Sequence, residues 1–186
     1  MVEFEILNKL ETILVQEDYD CAIEPATDEF PMPQLLVHLG LDSKERERTL
    51  MIITDEPEPE TGLNGKEHAT IQPISTIQFT VPLPFNFTDD THHDVLSIVC
   101  FINSMVELPG FEIEEMEDSV HFRYVLITQI NSITPVLINS VISAITLLLD
   151  LFSDLLEKVA SGEATFEELV QTLLEIAANK DEETNQ

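Results

Sequence analysis

The sequence predicts an α+β protein, with one antiparallel sheet and helices packed on it in the order α-βββ(β)-α-ββ-α-α. Three observations carry this. Apolar residues recur at helical spacing in the first and last stretches of the chain. Between them, runs rich in Val, Ile and Thr alternate at period two and are bounded by Pro- and Gly-containing breaks. The chain has 186 residues, 44% of them hydrophobic, which is enough for one domain with its own core. That domain is placed at 1–179, and residues 180–186 read as a flexible acidic tail.

Taken in order, residues 2–17 read as a helix, because Phe4, Leu7, Leu10, Ile13 and Leu14 share one face. Tyr19–Ile23 reads as a short strand, and the prolines and acids of 24–33 as a loop. Gln34–Leu39 and Arg48–Thr54 form a strand pair across the polar connector 40–45. An acidic, proline-containing loop follows at 55–62. Residues 69–81 read as another strand, ended by Pro82-Leu83-Pro84. A second helix starts at Asp89 or Asp90, either of which suits a cap and the positive end of the helix dipole, and stops before Pro109-Gly110.

Phe111–Met116 and Ser119–Ile127 read as a hairpin across Glu117-Asp118. In its second strand Val120, Phe122, Tyr124 and Leu126 share one face, and His121, Arg123, Val125 and Ile127 the other. Thr134-Pro135 opens a long helix that Ser161-Gly162 ends. Thr165-Phe166-Glu167-Glu168 has the capping-box pattern and opens a last helix to about residue 178.

The formal net charge is −28, from 36 acidic and 8 basic residues. Nucleic acid is a poor partner for such a chain, since that affinity comes largely from Lys and Arg on phosphates. An anionic membrane surface is equally poor. The stretch from Tyr124 to Leu149 holds no charged residue. However, Asn139, Ser143, Thr146, Asp150, Ser153, Asp154 and Glu157 recur at helical spacing, which marks an amphipathic helix rather than a membrane span. Cys21 and Cys100 match no metal or redox spacing and read as reduced thiols of a cytoplasmic protein. Met1-Val2-Glu3-Phe4-Glu5 lacks the basic region of a secretory signal, so the sequon at Asn86 is discounted.

Catalytic, cofactor and metal residues are not expected. His92 and His93 are adjacent, so on a helix they point about 100° apart and cannot chelate as an i, i+4 pair does. The carboxylates Glu112, Glu114, Glu115, Glu117 and Asp118 lack the Gly-containing pattern of a calcium loop, and a solvated hairpin does not split two carboxylate pKa values. Nucleophile and phosphate-binding motifs are missing. Arg123 is the only Lys or Arg between Lys66 and Lys158, an interval it shares with thirteen carboxylates. It reads as a strand-surface ion pair, or as a polar contact to a partner.

The absence of charge singles out two helices. Val95–Val106 is uncharged and apolar around most of its circumference, so one sheet face cannot cover it. Val95, Ile98, Val99, Ile102, Met105 and Val106 are therefore candidates for a partner or dimer interface. Asn139, Ser143 and Thr146 join them, because an uncharged polar stripe in so acidic a chain suits an interface core. Alternatively, the last helix packs over that stripe.

Three stretches add a resemblance. Phe101-Ile102-Asn103-Ser104, Leu108-Pro109-Gly110-Phe111 and Val120-His121-Phe122-Arg123-Tyr124-Val125-Leu126, followed by Thr134 and the long helix to Asp150, resemble YbjN-type proteins. The element order over residues 1–160 resembles the type III secretion chaperone-like fold. The resemblance implies small acidic proteins, often homodimeric through the helix at 91–107, that bind an extended protein segment without catalysis. The last helix and the acidic loops depart from that pattern. The expected function is a non-enzymatic protein-binding module, chaperone-like or regulatory and homodimeric. The alternative is a small ligand-binding protein or enzyme with a pocket under the helices and His92, His93 or Arg123 at its mouth. A third reading is an oligomerising structural subunit.

Overall fold

The structure is a computed structural model, and it describes residues 5–28, 30–55, 74–108 and 110–172. The acidic loop at 56–62, the first residues of the strand expected at 69–81, Phe4, Pro109 and the tail 180–186 lie outside the described residues. The class is α+β, with a six-stranded antiparallel sheet and four helices among the described residues. Strands β1 (Cys21–Glu24), β2 (Gln34–Leu41), β3 (Glu47–Asp55), β4 (Ile74–Asn86), β5 (Phe111–Glu114) and β6 (Ser119–Gln129) lie in the order β1-β2-β3-β4-β6-β5. The helices are α1 (Glu5–Gln16), α2 (His92–Met105), α3 (Pro135–Ala160) and α4 (residues 166–172).

The chain divides into two compact units, each made of two segments. One is Met1–Pro82 with Phe122–Leu148, and the other is Leu83–His121 with Leu149–Gln186.

In the first unit, α1 lies against β1, β2 and β3. Ile6, Leu7, Leu10, Ile13 and Leu14 are all buried, at the three- and four-residue spacing that forms one helix face. The helix stops at Asp18, whose φ of 63° takes the left-handed turn usually left to Gly, and the Tyr19 N–H returns to the Leu14 carbonyl at 3.0 Å. β2 and β3 pair with Leu36 opposite Met51, and a register shift falls between His38 and Leu41. Their turn closes on Asp42. Its Oδ1 accepts the Lys44 and Arg46 backbone N–H groups at 2.8 Å each, and its Oδ2 accepts Arg46 Nε at 2.7 Å. Burial pushes the Asp42 carboxyl up, but the Arg46 backbone N–H, the Arg46 side chain and the Lys44 N–H outweigh it and hold the group below its ordinary value.

One sheet face carries the core: Leu35, Val37, Leu50, Ile52, Ile77, Phe79 and Phe122 are buried. The Tyr124 ring meets Phe79 at 6.2 Å on the same face. β6 therefore alternates as its sequence predicts, with Val120 and Phe122 inward and Val125 and Ile127 exposed. A short 3-10 turn, Ile130–Ser132, follows β6 and was not foreseen. Lys9 Nζ donates to the Ile130 carbonyl at 2.6 Å.

Several boundaries shift by about two residues, with β1 starting at Cys21, β2 running to Leu41 and β5 ending at Glu114, and two others differ more tellingly. Pro82-Leu83-Pro84 does not end β4, which runs on to Asn86. The register with β3 reaches only to Thr80 opposite Met51, so neither proline removes a donor from that ladder, and both point outward while Leu83 is buried. Similarly, α2 does not start at Asp89 or Asp90. Residues 88–91 form a turn in which Thr91 Oγ1 accepts the Thr88 N–H at 3.0 Å and donates to the Ala160 carbonyl at 3.0 Å, and Thr91 becomes the cap residue.

In the second unit, the hairpin of β5 and β6 turns through residues 115–118, with Asp118 at a positive φ of 50°. α3 begins as predicted: the Thr134 hydroxyl accepts the Leu137 N–H at 3.3 Å within the first unit. It ends in the second at Gly162, whose φ of 74° disfavours any side chain. The capping box of α4 is present in both directions. Thr165 N–H donates to Glu168 Oε2 at 2.9 Å, and Glu168 N–H donates to Thr165 Oγ1 at 3.3 Å.

Candidate functional site

The expected interface on α2 is only partly open. Val95, Ile98 and Ile102 are fully buried and Val99 is 6% exposed, so these four face the chain's own core and offer nothing to a partner. That corrects the expectation. An uncharged, largely apolar helix needs cover on more than one side, and much of that cover comes from within the same unit. α2 lies against β5, and Phe101 meets Phe166 of α4 edge-on at 6.0 Å. Met105 is 51% exposed and Val106 half-buried. Cys100, expected in apolar surroundings, is exposed on the outer side.

The end of α2 is fixed to β5 by one side chain. Asn103 Nδ2 donates to the Phe111 carbonyl at 2.8 Å, while Asn103 Oδ1 accepts the Gly110 and Phe111 N–H groups at 3.2 Å each. Phe111 is thereby held for its edge-on contact with Phe152 at 6.2 Å.

The described histidines do not form one centre. His92 stacks on Phe87 at 5.4 Å and places Nε2 3.0 Å from Glu115 Oε2, while His93 points to solvent. His121 lies 3.5 Å from Glu112. Among the described residues no group of three or more His, Cys, Asp or Glu side chains could hold a metal ion. Arg123 is half-buried on the outward face of β6.

A shallow concavity of about 380 Å³ opens in the first unit. It is lined by Asp20, Cys21, Ala22, Leu36, Val37, His38, Glu47 and Thr49. None of His92, His93 or Arg123 lines it. Burial first, then the Glu11 and Asp20 charges, push the Cys21 thiol above its ordinary value, away from the thiolate a nucleophile requires.

The α3 stripe has a different phase from the one expected. Ser143 is exposed, but Asn139 and Thr146 are half-buried on the flank, and Asn139 Nδ2 donates to Glu17 Oε2 at 2.8 Å. The outward line runs through Val136, Ser140, Ser143 and Leu147, spaced by four, three and four residues. Val136 is 76% exposed and Leu147 58% exposed, two aliphatic side chains that the polar stripe concealed. Continuing the 3.6-residue period from Val136 would have found them. Opposite them, Ile138, Val141, Ile142 and Ile145 are buried. By length and composition α3 could cross a membrane, but that is weak evidence for a helix with one face in the core.

No protein-family model matches the chain, and no curated protein matches it.

Proposed function

We propose that the chain is a non-enzymatic protein-binding module, chaperone-like or regulatory, that accepts a partner segment along the outward face of α3. One observation carries this: in a chain of net charge −28, the exposed line Val136, Ser140, Ser143, Leu147 bears no charge and holds two open aliphatic side chains. Interface cores are depleted in charge in this way, whereas a merely solvated helix face in so acidic a chain carries carboxylates. The order of elements, which resembles the type III secretion chaperone-like fold, and the stretches between Phe101 and Phe152, which resemble YbjN-type proteins, support the same class. Two free cysteines support a reducing, cytoplasmic setting.

A photo-crosslinking side chain at position 147 tests this in the source cell, with position 11 on acid-bearing α1 as the control. Discrete protein adducts from 147 and not from 11 are expected. Equal or absent adducts contradict the proposal.

A further inference from the structure

We infer that the concavity beside β1, β2 and β3 is a binding site for a small aliphatic diamine, with a carboxylate for each of its charged ends. This goes beyond the protein-binding reading. It assigns a small-ligand site to a surface other than α3 and needs no partner protein.

The strand register builds the site. The His38 N–H donates to the Asp20 carbonyl at 2.8 Å, and His38 stands opposite Thr49, so Asp20, His38 and Thr49 form one row across three strands. Glu47 stands two residues before Thr49, on the same face of β3. Between the pairs His38–Thr49 and Leu41–Glu47, β2 has two residues, Leu39 and Gly40, against the single Arg48 of β3. That extra residue is a bulge, which bends its strand and re-aims neighbouring side chains, a device common beside functional sites. Gly40 takes a left-handed φ of 87° there, and a Cβ would meet nothing within 4 Å, so conformation rather than space calls for glycine. The concavity of about 380 Å³ opens at this bulge, with His38, Glu47 and Thr49 in its lining. Its size is that of a small-molecule site.

The lining selects the ligand. Asp20 and Glu47 line it from opposite sides, two strands apart. Their Cα atoms are roughly 12 Å apart, from two strand spacings of about 4.8 Å and two residues at about 3.3 Å. A metal ion needs its oxygen ligands within about 2.0–2.6 Å of one point. No group of three or more described His, Cys, Asp or Glu side chains is placed to hold one. A cation charged at both ends spans such a gap, each end meeting one carboxylate. Ala22, Leu36 and Val37 add apolar lining for the methylenes between. The Thr49 hydroxyl and a neutral His38 ring offer further acceptors to an ammonium group. No Lys or Arg lines the concavity to compete. Burial, then the charges of Glu11 and Asp20, push the Cys21 thiol up, so negative potential reaches the concavity's wall.

Equilibrium dialysis of the full chain against putrescine tests this at about 20 mM salt, where screening is weak. One saturable equivalent is expected, with a Kd on the order of 1 mM, because exposed ion pairs are weak. Asp20→Asn and Glu47→Gln should each weaken binding about threefold to fivefold, and butylamine, with one ammonium, should bind more weakly than putrescine by a similar factor. Asp90→Asn removes the same charge from an exposed acid outside the site and should bind as the wild type does. Circular dichroism checks that each variant folds. Binding that does not saturate, or that falls as much in Asp90→Asn as in the site variants, is the general attraction of a chain at −28 and overturns the inference. Butylamine binding as tightly as putrescine overturns it too. N-acetyl-lysine methylamide carries a single ammonium on a similar methylene chain. Tighter binding by it than by putrescine would assign the concavity to a protein lysine and overturn the diamine. The α3 proposal stands or falls separately, since its crosslinks are read at position 147.

Discussion

Asn103 binds both backbone groups of Phe111, donating to its carbonyl at 2.8 Å and accepting its N–H at 3.2 Å. A single amide thus does for the start of β5 what a neighbouring strand does elsewhere. Asn103→Ala removes three part-buried hydrogen bonds to the Gly110 and Phe111 backbone. A loss of about 2–3 kcal/mol is expected, read as a lower urea midpoint with an unchanged slope. Asn103→Asp should fall between, since it keeps the acceptor and loses the donor.

Asp42 sets the pH dependence of the β2–β3 turn. Its folded carboxyl titrates below its ordinary value, so folding favours the charged form. Its contribution is therefore present above the ordinary carboxylate range and disappears as pH falls through the lower, folded value. Asp42→Asn keeps one acceptor for the backbone N–H groups and loses the charge. It should cost about 1–2 kcal/mol at neutral pH and less in acid, checked by urea unfolding across pH.

The two cysteines should part kinetically. Cys21 is half-buried, and burial with Glu11 and Asp20 raises its thiol, whereas Cys100 is exposed on α2. A maleimide at about pH 7 should label Cys100 first and Cys21 several-fold more slowly, since the thiolate is the attacking species. Peptide mapping of the labelled chain distinguishes them, and equal rates contradict this placement.

Local rules carried much of the fold. Thr134-Pro135, Gly162 and the Thr165–Glu168 box mark helix ends because capping is settled within four residues, and β6 alternates because period two is a property of the pleat. The rules failed where tertiary context decides. Pro82 and Pro84 stand in a strand because the β3 ladder has already ended, which no local pattern reveals. Thr91 rather than Asp89 stands at the start of α2, with no side-chain cap bond, and its hydroxyl is held by Thr88 and by Ala160, far along the chain. The site was legible in part. The missing charge on α3 could be read directly, but the phase of its exposed face could not, because hydroxyl-bearing residues occupy both flank and outward line. On α2, Val95, Ile98, Val99 and Ile102 read as surplus apolar surface, yet they face the core, while Phe101 on the outer half meets Phe166.

The most direct test of the account is the affinity of the partner captured at position 147 for three purified chains. Leu147→Glu places a carboxylate on the uncharged line, and Val15→Glu alters an aliphatic residue of similar exposure on α1, amid carboxylates. The account predicts that Leu147→Glu weakens binding roughly tenfold or more, about 1.4 kcal/mol, while Val15→Glu binds as the wild type does. Unchanged binding by Leu147→Glu, or equal loss in both variants, would contradict it.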